Sequence, residues 1–432
     1  MDNYYDVIII GSGPAGLGSA FELAESLKNK KVLLLDKTRI SSGGLHNDCK
    51  QNYTYPIGFG LEYWKSKEEA HVYLEETKKI LKPNIQKKAN LEKYTLRAKK
   101  LSVELLEIEQ AHVGTDASVI LIENLINELK NKGIDIALSC EMMELNEDIK
   151  EIEIKEIKDD NSFVIKNIKY NKLVLAPGRK GSNFLQKIME KIGVKYIDNI
   201  VDIGIRIETK IENYDIVKDY YDPKFYFPTG VRTFCTNSGA AYVVSEKYDT
   251  FFSVNGHALS ESSEPNGLAN FAMLKTIRLT DPVASGMHFA KILGETAMQL
   301  SGGRPMMQRI GDFRMGKRSK AETFNNDLYD FKPTLAFSTP GDIGLAMPSR
   351  VLRDIWKSMK MLDTIIPGIL RPETIMYYPE IKTYGNKPNF IDEFFMVKDS
   401  IYMIGDGAGT SRGITGAWSS GIRCARGIIN SI

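Results

Sequence analysis

Cysteine is scarce in this 432-residue chain, and the four that occur, Cys49, Cys140, Cys235 and Cys424, stand far apart. No CxxC pair is present, so neither a dithiol redox centre nor a zinc or iron–sulfur site is indicated, and no metal is expected. No uninterrupted apolar run is long enough to span a bilayer. An excess of charge is missing too: 57 Lys and Arg face 55 Asp and Glu, a net charge of +2, which argues against a general nucleic-acid-binding role. There is no internal repeat and no low-complexity linker. The first apolar strand begins almost at Met1, so no leader is expected ahead of it, and a cytoplasmic location is the default expectation. What remains is ordinary globular composition, 43% hydrophobic and 26% charged, at a length that calls for two or more domains.

The opening stretch YYDVIIIGSGPAGLGSAFELAESLKNKKVLLLDKT carries Gly11-x-Gly13-x-x-Gly16. A lone GxGxxG is a weak signal, but here a short apolar strand, Asp6–Ile10, runs straight into it. A helical pattern follows, with Leu17, Ala20, Phe21, Ala24 and Leu27 on one face. A second apolar strand, Val32–Leu35, ends in Asp36, twenty positions after Gly16. This is the order of a βαβ nucleotide unit. Gly11 suits the tight turn, Gly13 the approach of a pyrophosphate, and Gly16 close packing of helix on strand. Ser12, Pro14 and Ala15 complete the loop. Asp36 is expected to accept from adenosine ribose hydroxyls, with Lys37 beside it.

Further along, a glycine-bearing loop covers 41–60, and residues 66–110 look helical and charged. From Lys78 to Lys100, nine Lys or Arg stand against the single acid Glu92. Such a run is usually a solvated face, with docking of an acidic partner as the alternative. In HVGTDASVILIENLINELKNKG, Thr115 or Asp116 is expected to cap a helix with a stripe of Ile122, Leu125, Ile126 and Leu129, stopped at Gly133. A strand at 134–139 follows. The segment EIEIKEIKDDNSFVIKNIKYNKLVLAPG alternates with period two and breaks at Asp159-Asp160-Asn161, the pattern of an antiparallel meander. From about Asp202 the texture turns β-rich, with helical stretches near 283–301 and 350–365. The tail SIYMIGDGAGTSRGITGAWSSGIRCARGIIN returns to strand, Gly-Asp-Gly and a small-residue helix.

A bare NAD domain needs neither a meander followed by Ala176-Pro177-Gly178 nor a second Gly-Asp near its end. Together these features resemble the glutathione-reductase-like flavoproteins with two dinucleotide-binding domains. In that class the first motif holds the ADP half of FAD, a late Gly-Asp reaches the ribityl or pyrophosphate region, and the next helix points at the flavin pyrimidine. Gly405, Asp406 and Gly407, then Gly413, Ile414 and Thr415, match those positions. A helix N-terminus there lowers the cost of negative charge on the reduced ring. Over essentially its full length the chain resembles the FAD-dependent dehydrogenase family called NAD(FAD)-utilising dehydrogenases. The carrying segments include GGLHNDCK, HVGTD, LAPGRKGS, DIGIRIE, RTFCTN, VNGHALS, QRIGDFRMGKRS, PEIKTYG and GDGAGTSRGITGAWSSG. Cys49 departs from the glycine expected in that loop.

The resemblance implies an α/β chain: a Rossmann-like FAD domain with a central parallel sheet and an antiparallel β-meander, interrupted by a mixed β-rich substrate domain. The expected bounds are 1–200 for the first part of the FAD domain (helical insertion about 60–110), 201–375 for the substrate or cap domain, and 376–432 for the return. FAD is expected to bind non-covalently, with Ala176, Gly178, Gly43, Gly44, Asn47 and Asp48 near it. For Asn47 and Asp48 a turn-forming Asn-Asp is the alternative. His46 and Cys49 are the residues that would hold a covalent flavin. The candidate catalytic residues are His257, Glu380 and Lys382. His257 is an acid/base candidate, with a satisfied structural histidine as the plainer reading. Glu380 and Lys382 share a strand face, and Lys382 would stabilise the anionic reduced flavin or bind an acidic substrate; a cross-strand ion pair is the alternative. Cys235 is read as an inert thiol. Arg309, Arg314 and Arg318, with Lys317 and Lys320, form a basic cluster, read as a solvated loop with anion recognition as the alternative.

The expected function is hydride transfer between flavin N5 and a small organic substrate. The alternatives are a flavin monooxygenase and a non-redox FAD-containing scaffold or RNA-associated protein. No second GxGxxG is present, so NADH or NADPH, if used, binds transiently, or a redox partner protein delivers electrons.

Overall fold

The structure is a computed structural model and describes residues 1–40, 44–47, 49–60, 63–64, 66–261, 263–280, 285–325 and 331–432. Gly43 and Asp48 lie outside the described residues. The chain divides into two compact units: Met1–Asn84, Glu109–Asn199 and Tyr384–Ile432 form the first, Ile85–Ile108 and Ile200–Thr383 the second.

The sheet of the first unit runs Met396–Lys398, Ile401–Met403, Phe163–Leu175, Tyr4–Ile10, Val32–Leu35, Asp135–Ala137. The pairs from Ile401–Met403 to Asp135–Ala137 are all parallel. Both faces of the central strands are covered, and for that reason they read as continuous apolar runs; Val7–Ile10 and Val32–Leu35 are buried throughout. Phe163–Leu175 does two jobs. Its first half closes the meander Cys140–Asn146, Glu151–Ile157, Phe163 onward, antiparallel. Its second half lies parallel to the first strand, with Leu175 opposite Ile10. The expected Rossmann-like sheet with its meander is therefore present.

Two local expectations need correction. The helix Thr115–Asn131 buries the expected stripe, but its N-cap is Gly114 at φ +94°, and no side chain caps it. Thr115 and Asp116 are already helical. The charged stretch 66–110 is not one helix. It breaks after Leu81, where Lys82 takes φ +44° ahead of Pro83, and resumes as the helix Glu92–Lys100 in the second unit.

The second unit is built on a sheet ordered Thr339–Pro340, Met306–Arg309, Ile375–Thr383, Val201–Lys210, Leu268–Ile277, Val231–Asn237, Lys224–Tyr226, Glu104–Leu106. The strand Ile375–Thr383 is thus central here, and Val201 pairs Thr383 at its end. The return to the first unit comes at Tyr384, later than the expected 376, because the ladder is unbroken to that point. Arg309 also departs from expectation. It is fully buried, with its guanidinium 4.9 Å from the Phe324 ring and 5.1 Å from that of Phe331, and takes no part in an exposed cluster.

One buried carboxylate in this unit is titratable. Glu208 is fully buried and accepts from the Thr334 amide (3.2 Å) and hydroxyl and from Tyr377 Oη at 2.6 Å. Burial pushes its pKa up, and these donors and Arg309 only partly offset that. A carboxyl that holds its proton more tightly when folded adds stability that is full below its unfolded value, about 4.3. That stability is lost as pH rises through the folded value. In parallel urea denaturations, wild type should lose stability relative to Glu208→Gln as pH rises above about 4.3. Parallel pH profiles would contradict this assignment.

Candidate functional site

Five stretches of the first unit meet beyond the end of the strand Tyr4–Ile10. Gly11 leaves the strand at φ +106°, and a Cβ there would lie 2.3 Å from the Ala176 carbonyl oxygen. A Cβ on Gly16 would lie 1.8 Å from the Gly11 oxygen. Both positions admit only glycine. Gly13 differs, since nothing lies within 4 Å of its missing Cβ. It is the N-cap of the helix Pro14–Ser26, whose first turn has no side-chain cap. The helix therefore presents first-turn N–H groups without a side-chain partner beside open room, which is what a phosphate needs.

The same combination recurs at Gly413. It is the N-cap of the helix Ile414–Ile429, no side chain caps it, and nothing lies within 4 Å of its missing Cβ. The two helix starts are linked through the Gly-Asp turn. Gly405, at φ +77°, sets its Cα against the Ala15 side chain, and Asp406 Oδ1 accepts from the Gly413 amide at 3.1 Å and from Ser411 Oγ at 2.7 Å. Gly407 packs on the Gly178 carbonyl. Ile414 and Thr415 are buried, and Thr415 Oγ1 donates to the Asn52 carbonyl at 2.5 Å. Gly44 is exposed, while His46 and Asn47 are half-buried.

Asp36 also holds the loop together from within the unit. Its Oδ2 accepts from the Ser12 amide at 2.7 Å and hydroxyl at 2.8 Å; its Oδ1 accepts from the Thr38 amide at 2.9 Å and hydroxyl at 2.7 Å. In this structure Asp36 ties the glycine loop to the turn after the second strand, and Lys37 beside it is exposed. Cys49 is buried at φ +51°, with Gln51 Nε2 at 3.5 Å from its Sγ and Tyr53 Oη donating to Gln51 Oε1 at 2.5 Å. Sequence reasoning passed over Arg179, whose Nε lies 3.8 Å from Asp406 Oδ2. A cation directly after Ala176-Pro177-Gly178 was the available signal.

The second unit holds the other candidates. Glu380 is fully buried and paired with Arg206 through two bonds of 2.7 Å. Arg206 also donates to Asn270 Oδ1 at 2.8 Å and to the Cys235 carbonyl at 3.0 Å. Burial is the largest influence and works against the charged guanidinium, but Glu380 and Cys235 together outweigh it and hold the Arg206 pKa above the usual range. For Glu380 the geometry is that of a cross-strand ion pair. Lys382 is 2% exposed, and its Nζ lies 3.3 Å from Glu246 and 3.6 Å from Glu380. His257 is half-buried in the hairpin Ala241–Lys247/Phe252–Ala258, opposite Tyr242. That hairpin docks on the strand of Lys382, with Ser253 Oγ accepting from the Ile381 amide at 3.0 Å. Cys235 sits at φ +48° at a break in the strand register.

Residues 5–180 match the family model described as pyridine nucleotide-disulphide oxidoreductase, and residues 203–383 match that described as FAD-dependent protein, C-terminal domain-like. A curated relative, an "Uncharacterized protein" of Clostridium beijerinckii, is 24% identical over 353 residues, covering 74% of this chain and 62% of its own length. An opine oxidase chain of Rhizobium meliloti is 35% identical over 71 residues, 16% of this chain and 13% of its own. The chain therefore spans less than two thirds of either relative. Among solved structures, a flavoprotein/dehydrogenase from Cytophaga hutchinsonii aligns with a TM-score of 0.43 at 11% identity, covering 99% of this chain and 78% of that one. The cofactor is FAD, which the second model's description names and which the room at Gly13 and Gly413 fits.

The glycines separate binding from folding. Gly13→Val should leave a folded protein that purifies with little or no flavin, because its side chain fills open room. Gly421→Val places a Cβ 2.1 Å from the Ala15 carbonyl oxygen and should cost about 1–3 kcal/mol of stability or more. Absorbance ratios and urea denaturation of the apo-proteins check both. Full flavin occupancy in Gly13→Val would remove that loop from the site.

Proposed function

We propose that this chain, of an FAD-dependent oxidoreductase family, catalyses hydride transfer between flavin N5 and a small organic substrate, as the resemblance to NAD(FAD)-utilising dehydrogenases implies. The observation that carries the reading is the pair of uncapped helix starts at Gly13 and Gly413, joined through Asp406. In this reading the first unit is the FAD domain and the second the substrate domain. FAD, when bound, supplies the two-electron chemistry. The chain's own residues grip and orient. The first-turn amides after Gly13 hold the pyrophosphate, with Ser12 and Asp36 keeping that loop in shape, and Asp406 and Arg179 set the ribityl side. The helix start at Ile414 and Thr415 favours negative charge at the ring.

Lys382 is the proposed cation toward substrate. It stands two residues before the chain re-enters the first unit at Tyr384, and three before Gly385, which packs on the Gly407 carbonyl. Glu380 acts as its positioning residue, itself fixed by Arg206, and His257 is the proton-carrying candidate on the docked hairpin. The chain has no second GxGxxG and no CxxC, which favours a small substrate over a disulfide and a transiently bound nicotinamide donor over a resident one.

Anaerobic titration of the holoprotein tests this. NADH, NADPH or a member of a panel of small amines, alcohols and unsaturated acids should bleach the flavin, with one product per flavin. Oxygen incorporated into product would replace hydride transfer by hydroxylation. Lys382→Met should keep its FAD yet slow this bleaching and lower the flavin potential, and Lys382→Arg should recover part of both. Wild-type kinetics and potential in Lys382→Met would strike the residue from the catalytic list.

A further inference from the structure

The second unit carries a surface whose chemistry the redox reading does not use. The helix Ser349–Ile365 buries Val351, Ile355, Met359 and Leu362 and exposes Arg350, Arg353, Lys357 and Lys360 as one stripe. Beside it, the end of the short helix Ile310–Arg314 and the segment after it expose Arg314, Lys317, Arg318 and Lys320. Contacts within the unit make these one surface. The Phe313 ring meets Trp356 edge-on at 5.0 Å, and Trp356 sits between Arg353 and Lys360 on the helix face. Gln308 ties the loop to the approach of the helix, donating to the Lys317 carbonyl at 2.8 Å and accepting from the Ile343 amide at 2.9 Å.

Two features set this surface apart. Among the described residues, none of the eight cations has an ion-pair partner, although the chain as a whole is nearly balanced at +2. Several acids nearby are engaged elsewhere: Asp354 pairs Lys275 at 3.1 Å, Asp363 accepts from the Gly368 and Leu370 amides, and Asp312 accepts from Ser319 Oγ. The second feature is apolar. Leu345, 74% exposed, and Met315, 67% exposed, are the two most exposed large apolar side chains among the described residues; Met315 follows Arg314 directly, and Leu345 stands in the turn before the helix, next to the Ile343 amide held by Gln308. Unpaired cations surrounding protruding apolar tips fit an anionic lipid headgroup layer, where each cation near the surface is attracted and each tip gains by leaving water. An acidic protein would complement the charge but gives no reason for isolated apolar tips.

We propose that this face is a peripheral docking surface for an anionic membrane, with Leu345 and Met315 dipping below the headgroups. No helix among the described residues is long and apolar enough to cross a membrane, so the contact is a reversible, salt-sensitive one. The experiment is co-sedimentation of the flavin-loaded full chain with phosphatidylcholine vesicles, with and without phosphatidylserine. Binding should require phosphatidylserine and weaken with salt. Arg353→Glu with Lys357→Glu should reduce it by about tenfold or more. Leu345→Ser with Met315→Ser should reduce it too at low salt, with flavin content unchanged in both variants as the control for folding. No binding to phosphatidylserine vesicles, equal binding by the charge-reversed variant, or capture by an acidic protein or nucleic acid without vesicle binding would overturn the proposal. Unchanged binding by the Leu345–Met315 variant would overturn the insertion.

Discussion

The first and last helices of the first unit approach backbone to backbone. A Cβ on Gly421 would stand 2.1 Å from the Ala15 carbonyl oxygen, and one on Gly18 would stand 2.4 Å from that of Trp418. Phe21 and Trp418 close the contact, with ring centroids 5.7 Å apart. Small residues permit this approach, and the approach aligns the site. It brings Gly405 onto Ala15 and, through Asp406, sets the start of the last helix beside the start of the first. Two helix N-termini are thereby brought together, although more than 390 residues separate them in sequence; in the proposed function both face one dinucleotide.

The second unit rests on charge buried in its sheet rather than on close backbone contact. Arg206 and Glu380 form a two-bond pair with no exposure, and Asn270, the Cys235 carbonyl and Asn255 accept from the remaining guanidinium N–H groups. Removing one partner of such a pair is costly, because the other is left charged and buried. Gly256 is fixed by the same network: a Cβ there would lie 2.2 Å from Arg206, Asn237 and Asn270 atoms. Lys382 joins at its edge, which gives that cation a defined position.

Much of this was legible in the sequence. The order strand, glycines, helix, strand, acid announced the nucleotide unit, and period-two alternation announced the meander, because both patterns are local. What failed depended on long-range partners. Arg309 read as exposed, yet Phe324 and Phe331 enclose it from elsewhere in the chain. The end of the second unit was placed too early, since nothing local in PEIKTYG reveals that Glu380 meets Arg206 on a neighbouring strand. The helix after Gly114 misled for a local reason: Thr and Asp favour caps by propensity, but a glycine at φ +94° took the position.

A crystal structure of the flavin-loaded protein tests the central claim most directly. The account predicts FAD density with its pyrophosphate against the amides that follow Gly13 and its ring end at the start of the helix beginning at Ile414. Density for the pyrophosphate away from Gly13, or a ring far from Gly413, would contradict it.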